Sequence, residues 1–196
     1  MTTATDQTPT DLPPPARTRQ DPALPDGAEA VPWLREALAV MRIGERGIAE
    51  ATGRKRVHLI EAVNARIPLV SLAWCGLFVA HCLRKAEPDI DLPRFHARSG
   101  PWREVGRPCA PQLGAIMVYW YVAPWAPLGH VGFHVGEDDE AFHTLGGNQH
   151  DEIDVQRVPK ERLVTARWPS TRTAPTGERP RRPREAAKEF EFGRLV

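Results

Sequence analysis

Cys75 is the side chain of this sequence with the clearest chemical potential, and it lies in "LAWCGLFVAHCL", a stretch that predicts an apolar helix. A cysteine in the first turn of a helix lies beside backbone N–H groups and the positive end of the helix dipole. Both favour the thiolate, which is the nucleophilic form of the side chain. Cysteine is also among the most buried residue types. The sequence therefore leaves two interpretations of Cys75, a nucleophile and a core residue.

His130, in "LGHVGFHVG", is the leading candidate for the base that a nucleophilic cysteine needs. The alternating pattern predicts a strand that begins near His130, whose side chain shares a face with Gly132. The bare glycine would allow a helix end to approach. The alternative interpretation of His130 is an ordinary strand-edge histidine with a satisfied hydrogen bond.

His130 and His134 also have the HxxxH spacing of some zinc sites. On a strand, however, four residues span about 13 Å, so one metal ion is difficult to share between them. His143 and His150 are the further ligands that such a site would use. We therefore expect neither a metal nor a cofactor.

A third polar group should orient the imidazole through its other nitrogen, as in Cys-His-Asn arrangements. Asn148 in "TLGGNQ" is the leading candidate, because it follows the next predicted strand and two glycines precede it. His143, near the middle of that strand, is the competing candidate. A turn asparagine beside glycines is the structural alternative for Asn148.

Helices followed by strands are expected to position these residues. Pro32 begins a predicted helix, Val57–Val63 forms a second short one, and Ser71 is expected to cap the cysteine helix. The apolar stripe of the first helix comprises Trp33, Leu34, Ala37, Leu38 and Met41. Five strands are predicted in "GAIMVYWYV", "HVGFHVG", "AFHTL", "DEIDVQRV" and "RLVTARW". The expected fold class is α+β, with the Cys75 helix packed on an antiparallel meander of about five strands.

Composition divides the 196 residues into three parts. The proline-rich leader (1–30) is predicted to be disordered, and 31–169 is predicted to be the folded domain. The basic proline-rich tail (170–196) is predicted to be mobile, with docking of its "EFEFGRLV" segment as the alternative. With 26 basic and 25 acidic residues the net charge is +1, which predicts no nucleic-acid partner. The longest apolar run, Leu69–Leu83, would span about 22 Å as a helix, so membrane insertion is not expected.

In their order along the chain, these motifs resemble the NlpC/P60 and CHAP superfamily of papain-like cysteine peptidases and amidases, which cut bacterial peptidoglycan. The likeness extends over residues 31–169. It is to a branch with a "WC…F" helix, a "GHVGF" strand, an "LGGNQ" turn and a terminal "RWP". The matching residues are Trp74, Cys75 and Phe78; Gly129–Phe133; Leu145–Gln149; Arg167–Pro169; and, upstream, the "GIAEATG" of Gly47–Gly53.

The resemblance implies a papain-like fold in which Cys75 is the nucleophile and His130 the general base. NlpC/P60 members often place a histidine at a position resembling His143, whereas CHAP-like members use an asparagine resembling Asn148. The "GGNQ" match favours Asn148. The central spatial expectation is that the Cys75 sulfur and the His130 imidazole meet at an open cleft.

Hydrolysis of an amide bond in the peptide part of peptidoglycan is the implied activity, by an endopeptidase or an N-acetylmuramoyl-L-alanine amidase. Trp74 and Gln149 are the expected substrate-binding residues, with a place in the core as the alternative for Trp74. The aromatic residues of "YWYVAPW" are further candidates to line the groove. Two other functions remain open at this point. One is a catalytically inactive binding or virion component with the same fold, and the other is a cysteine acyltransferase.

The stretch "MTTATDQTPT" has no basic region followed by an apolar one, so an ordinary secretory signal is not expected. The protein is then expected to be made in the cytoplasm and to act in the periplasm or cell wall. Delivery would require a secretion system, a virion or phage lysis. We therefore expect an interbacterial effector or a phage-type lysin, with an immunity or delivery protein as a candidate partner.

Overall fold

The computed structural model describes residues 24–46, 74–149, 152–169, 181, 184 and 188–189, without the side chains of 42–46, 152 and 188. Over these residues the protein has an α+β fold, which confirms the predicted class. The α-helices are α1 (Pro32–Arg46) and α2 (Cys75–Ala86). The strands are β1 (Arg107–Pro108), β2 (Ile116–Trp120), β3 (Gly129–Glu137), β4 (Ala141–Gln149), β5 (Glu152–Pro159), β6 (Leu163–Trp168) and β7 (Lys188–Glu189).

Helix α1 begins at Pro32, as its sequence predicts, because proline suits the first turn. The whole predicted apolar stripe is buried. The indole N–H of Trp33 donates to the carbonyl of Gly114 at 2.8 Å, and its ring meets Trp168 edge-on at 5.0 Å. These contacts fix α1 against the sheet. The predicted helix Val57–Val63 lies outside the described residues. The prediction that Ser71 caps the cysteine helix is wrong, because Trp74 holds the N-cap position of a helix that begins at Cys75.

Helix α2 begins at Cys75, and every residue from Cys75 to Leu83 is buried. Its ring contact between Phe78 and Phe133, at 6.1 Å, joins it to β3. The helix ends before Pro88, and Arg84 and Lys85 in its last turn suit the helix dipole. An apolar helix at the centre of the fold is what the sequence predicts. No described helix combines the length and apolarity that crossing a bilayer requires.

The sheet has the order β1-β6-β2-β3-β4-β5-β7. Strands β2 to β5 form an antiparallel meander, but β6 pairs with β2 rather than continuing beside β5. Only residues 160–162 separate β5 from β6. Their four Cα steps reach about 14 Å at most, whereas four strand spacings of a flat sheet require about 19 Å. The sheet is therefore curled, so that β5 and β6 approach each other.

This curled sheet has a core on each face. Val131, Phe133 and Val135 of β3 join the large core under the helices. Because side chains alternate along a strand, His130 and His134 lie on the opposite face. The His134 ring accordingly contacts Phe142 at 5.7 Å. The concave core on that face consists of Ala115, Met117, Tyr119, Phe142, Val158 and Ala166.

Packed residues occur on both sides of the predicted domain boundaries. Ala28 is buried and Leu24 packs on the large core, upstream of Val31. At the other end, β7 pairs in parallel with Gln156 and Arg157 of β5. Segments of the predicted leader and tail thus contribute to the folded unit.

Candidate active site

The Cys75 sulfur lies where the start of α2 meets β3. The backbone N–H groups of Val131 and Gly76 bond to it. Val131 precedes the point at which β3 begins to pair with β4, at Phe133↔Leu145. Burial is the strongest influence on the thiol and raises its pKa to about 11, although these N–H groups act in the opposite direction. The resting side chain is therefore a neutral thiol.

The His130 imidazole is held by Gln149, whose Oε1 lies 2.9 Å from Nε2 of the ring. The Gln149 amide nitrogen donates to the backbone carbonyls of Thr144, at 3.4 Å, and Asp154. Since these carbonyls accept from the NH₂ end, Oε1 must accept from the ring. The network thus assigns the proton of the neutral imidazole to Nε2, and Nδ1 carries the lone pair.

This partner of the His130 ring differs from the predicted one, Asn148. Asn148 is half-buried and has φ 61°, in the left-handed region that asparagine tolerates. The pairing of β4 with β5 shifts register between Gly146 and Gln149, which marks a β-bulge. An extra residue reverses the alternation of side chains, so Gln149 shares the face of Gly146 and His130. A Cβ on Gly146 would lie 2.8 Å from both His130 Nε2 and Gln149 Oε1.

Gly147 faces the opposite side of β4, where helix α2 packs. A Cβ there would lie 2.6 Å from the Trp74 ring and 2.7 Å from the Phe78 Cβ. Trp74 is only 2% exposed, as is Gln149. The described contacts of both predicted substrate-binding residues are therefore inside the protein, and Trp74 matches its core alternative.

His143, the competing third residue, is buried at the far end of β4, opposite Gly136. Its Nε2 lies 2.7 Å from Oδ2 of Asp138, which also accepts a bond from Nε of Arg157 at 2.7 Å. The guanidinium of Arg157 is the main reason that the pKa of Asp138 lies far below its ordinary value. His143 thus belongs to a separate polar cluster.

The thiol and imidazole are closed to solvent, since Cys75 and His130 are each 1% exposed. Tyr121 stacks on the His130 ring with centroids 6.5 Å apart and planes 15° from parallel. Burial raises the pKa of the Tyr121 hydroxyl, and the nearby Cys75 raises it further. Tyr121 therefore stacks on the imidazole and lies within electrostatic reach of the thiol. The expected open cleft is wrong for this conformation.

Other features of the described residues lie away from this cluster. A groove of about 760 Å³ is formed by residues 87–95, Pro101, 104–106 and Pro169. None of these residues takes part in the bonds to Cys75 described above. All three cysteines are free thiols. Within the described ranges, no three His, Cys, Asp or Glu side chains come together as a metal site.

Compared with protein-family models, with curated proteins and with solved structures, the chain matches none of them. What the fold and the site define is an α+β protein in which a buried thiol bonds to the backbone of Val131, next to a buried imidazole that is paired with a carboxamide.

Proposed function

We propose that the protein is a cysteine hydrolase with a papain-like arrangement that cleaves an amide bond in the peptide part of bacterial peptidoglycan. One observation carries the chemistry. Gln149 fixes the His130 ring, and the next backbone N–H, that of Val131, bonds to the Cys75 sulfur. Nucleophile, base and orienting group are thereby linked through one strand. The substrate class is supported by the sequence resemblance.

In the proposed reaction, Nδ1 of His130 takes the thiol proton while the Cys75 sulfur bonds to the amide carbonyl carbon. Backbone N–H groups at the start of α2 stabilise the negative oxygen that results. The C–N bond then breaks, and the amine leaves with the proton from the imidazolium. Water, deprotonated by His130, attacks the thioester, which releases a carboxylate product and restores the thiol.

Catalysis in this scheme belongs to a more open conformation than the one described. Burial lowers the pKa of His130 to about 4, although the Gln149 hydrogen bond raises it. A base with so low a pKa removes a thiol proton poorly, because proton transfer is most effective when the pKa lies near the working pH. Admission of water and substrate reduces the desolvation and brings both pKa values toward neutrality.

The biological setting that we propose is attack on a bacterial cell wall, by an interbacterial effector or a phage-type lysin. The amide bond cleaved would be one that an endopeptidase or an N-acetylmuramoyl-L-alanine amidase hydrolyses. This setting depends on the resemblance, and an immunity or delivery protein would be its natural partner.

A second candidate function is a catalytically inactive binding protein of the same fold. The observation that favours it is the burial of Cys75 and His130. Inert structural cysteines are typically buried in this way, whereas reactive ones are partly exposed.

Digestion of purified sacculi, followed by mass spectrometry of the soluble products, tests the proposal. Wild-type protein is expected to create new amino and carboxyl ends, and Cys75→Ala and His130→Ala to create none. Cys109→Ser, at a half-buried free thiol, is the matched control and should retain activity. Sacculus binding without new ends would instead establish the binding protein, and a new amide or ester would establish acyl transfer.

A further inference from the structure

Tyr121 stacks on the His130 imidazole, and both that imidazole and the Cys75 thiol are buried. The helix side is filled by Trp74 and Phe78, which pack on Gly147. The opposite side is filled by Gln149 and the backbone of Gly146. Tyr121 differs from these because it is only partly buried and begins a surface loop. It is therefore the side chain whose displacement would connect the thiol with solvent.

We propose that Tyr121 is the gate of this site and that its ring occupies the place beside Cys75 and His130 that the scissile acyl group takes. The inference rests on the proposed hydrolase function. Attack requires the carbonyl carbon at about 3–3.5 Å from the sulfur, with the imidazole in reach of the leaving nitrogen. A ring that stacks on that imidazole, within electrostatic reach of the thiol, lies in the path of such a substrate.

The gate opens by rotation of the side chain, since the backbone of Tyr121 is held on both sides. Its N–H donates to the carbonyl of Leu128 at 3.3 Å. Its own carbonyl accepts from Nη1 of Arg162 at 2.8 Å, and that guanidinium lies 4.8 Å from the Trp120 ring. These contacts keep the end of β2 in place while χ1 of Tyr121 changes.

The loop after the gate presents unusually exposed apolar side chains. Val122 is 68% exposed, Trp125 85% and Leu128 47%. A concentration of exposed apolar surface of this kind marks an interaction site. In this proposal the loop is the surface that an incoming substrate meets before it reaches the Tyr121 ring.

Alkylation of Cys75 by iodoacetamide at pH 8, followed by peptide mass spectrometry, tests the gate. A Cys109→Ser background removes the half-buried thiol. Tyr121→Ala should raise the Cys75 alkylation rate about ten-fold or more, because the stacked ring is lost. Tyr121→Phe should leave the rate unchanged, because it keeps the ring. Trp125→Ala, at the exposed loop tip, should also leave it unchanged.

Cys82 serves as the internal control, since it is buried in the same helix. A selective rise at Cys75 supports the gate. An equal rise at Cys82 would report general loosening and would overturn it, as would an unchanged rate in Tyr121→Ala or a rise in Tyr121→Phe. Alkylation needs no substrate, so faster labelling without sacculus products would reject the hydrolase function alone. Sacculus products with an unchanged labelling rate would reject the gate alone.

Discussion

The proton of His130 is placed by Gln149, whose own orientation is fixed by two backbone carbonyls. A neutral imidazole accepts a proton only at the nitrogen that lacks one. Gln149 therefore directs the basic nitrogen, Nδ1, away from itself. In the proposed mechanism this is the role of an orienting residue, which acts on the reaction through the imidazole.

Replacement of Gln149 by alanine is expected to lower kcat about 100-fold or more and to change KM little, because the His130 tautomer is no longer fixed. ¹⁵N NMR of the imidazole should show one Nε2-protonated form in the wild type and a mixture in Gln149→Ala. Asn148→Gly is the matched control, since glycine accepts the positive φ of that position. An equal loss of activity in Asn148→Gly would contradict this assignment.

At the scale of elements, two consecutive glycines allow β4 to be approached closely from both faces. Gly146 adjoins His130 and Gln149, and Gly147 adjoins Trp74 and Phe78. The sequence "LGGNQ" therefore serves the site with one glycine and the core with the other. The bulge that follows brings Gln149 back to the face of the site.

Alanine at each glycine should separate these two roles. Gly146→Ala places a methyl group 2.8 Å from His130 Nε2 and should abolish activity. Gly147→Ala pushes against the buried Trp74 ring and should cost about 1–3 kcal/mol of unfolding free energy. Urea denaturation and sacculus digestion of both variants measure this. Full activity in a well-folded Gly146→Ala protein would show that the position of the His130 ring is unimportant for catalysis.

Local sequence patterns predicted the helices and strands well. They did not predict which strands pair or which side chains a bulge brings together. The α1 stripe, the helix beginning at Cys75 and strands β2 to β6 follow from periodicity and residue type. The pairing of β6 with β2 depends on sheet curvature, which no local pattern encodes. Gln149 was missed as the ring partner because one left-handed residue, Asn148, reverses the alternation that sequence reasoning assumes.

The sequence offers Tyr121 only as one of several aromatics that could line the groove. "YWYVAPW" is an aromatic segment, and nothing in its spacing shows that the second tyrosine stacks on His130. The open cleft was expected because a catalytic thiol needs access to substrate. A cover supplied by one side chain from a neighbouring loop becomes visible only in three dimensions.

For the molecule as a whole, a C-terminal segment closes the outer edge of the curled sheet. Strand β7 pairs with β5, and Glu189 accepts a bond from the buried Arg157 at 2.5 Å. Arg157 also bonds to Asp138, which joins the turn after β3 to the same cluster. An exposed strand edge invites pairing with other chains, and β7 covers that edge at Gln156 and Arg157.

Stability should be greatest between about pH 6.5 and pH 9. The pKa of His130 is lowered to about 4 in the fold, so as pH falls from 6.5 the unfolded chain binds a proton first. This costs about 3 kcal/mol by pH 4. The pKa of Cys75 is raised to about 11, so stability declines again as pH rises above 9. Below pH 4 stability falls further, because Asp138 is protonated more easily in the unfolded chain than in the fold. In the fold its pKa is held low chiefly by Arg157.

Urea denaturation at a series of pH values measures this profile. His130→Gln should remove the part of the loss between pH 6.5 and pH 4 that belongs to His130. Cys75→Ala should remove only the part of the decline above pH 9 that belongs to Cys75, because burial also raises the pKa of Cys82. Identical profiles for His130→Gln and the wild type would show that this imidazole is protonated as easily in the fold as in the unfolded chain.

Covalent catalysis by Cys75 is the central claim, and intact-protein mass spectrometry after acid quenching tests it most directly. Protein mixed with soluble muropeptides should gain, within the first turnover, the mass of the acyl part of the cleaved bond. Peptide mapping should place that mass on Cys75 as a thioester, and Cys75→Ala should form neither the adduct nor product. Product that accumulates in Cys75→Ala at the wild-type rate would contradict the account.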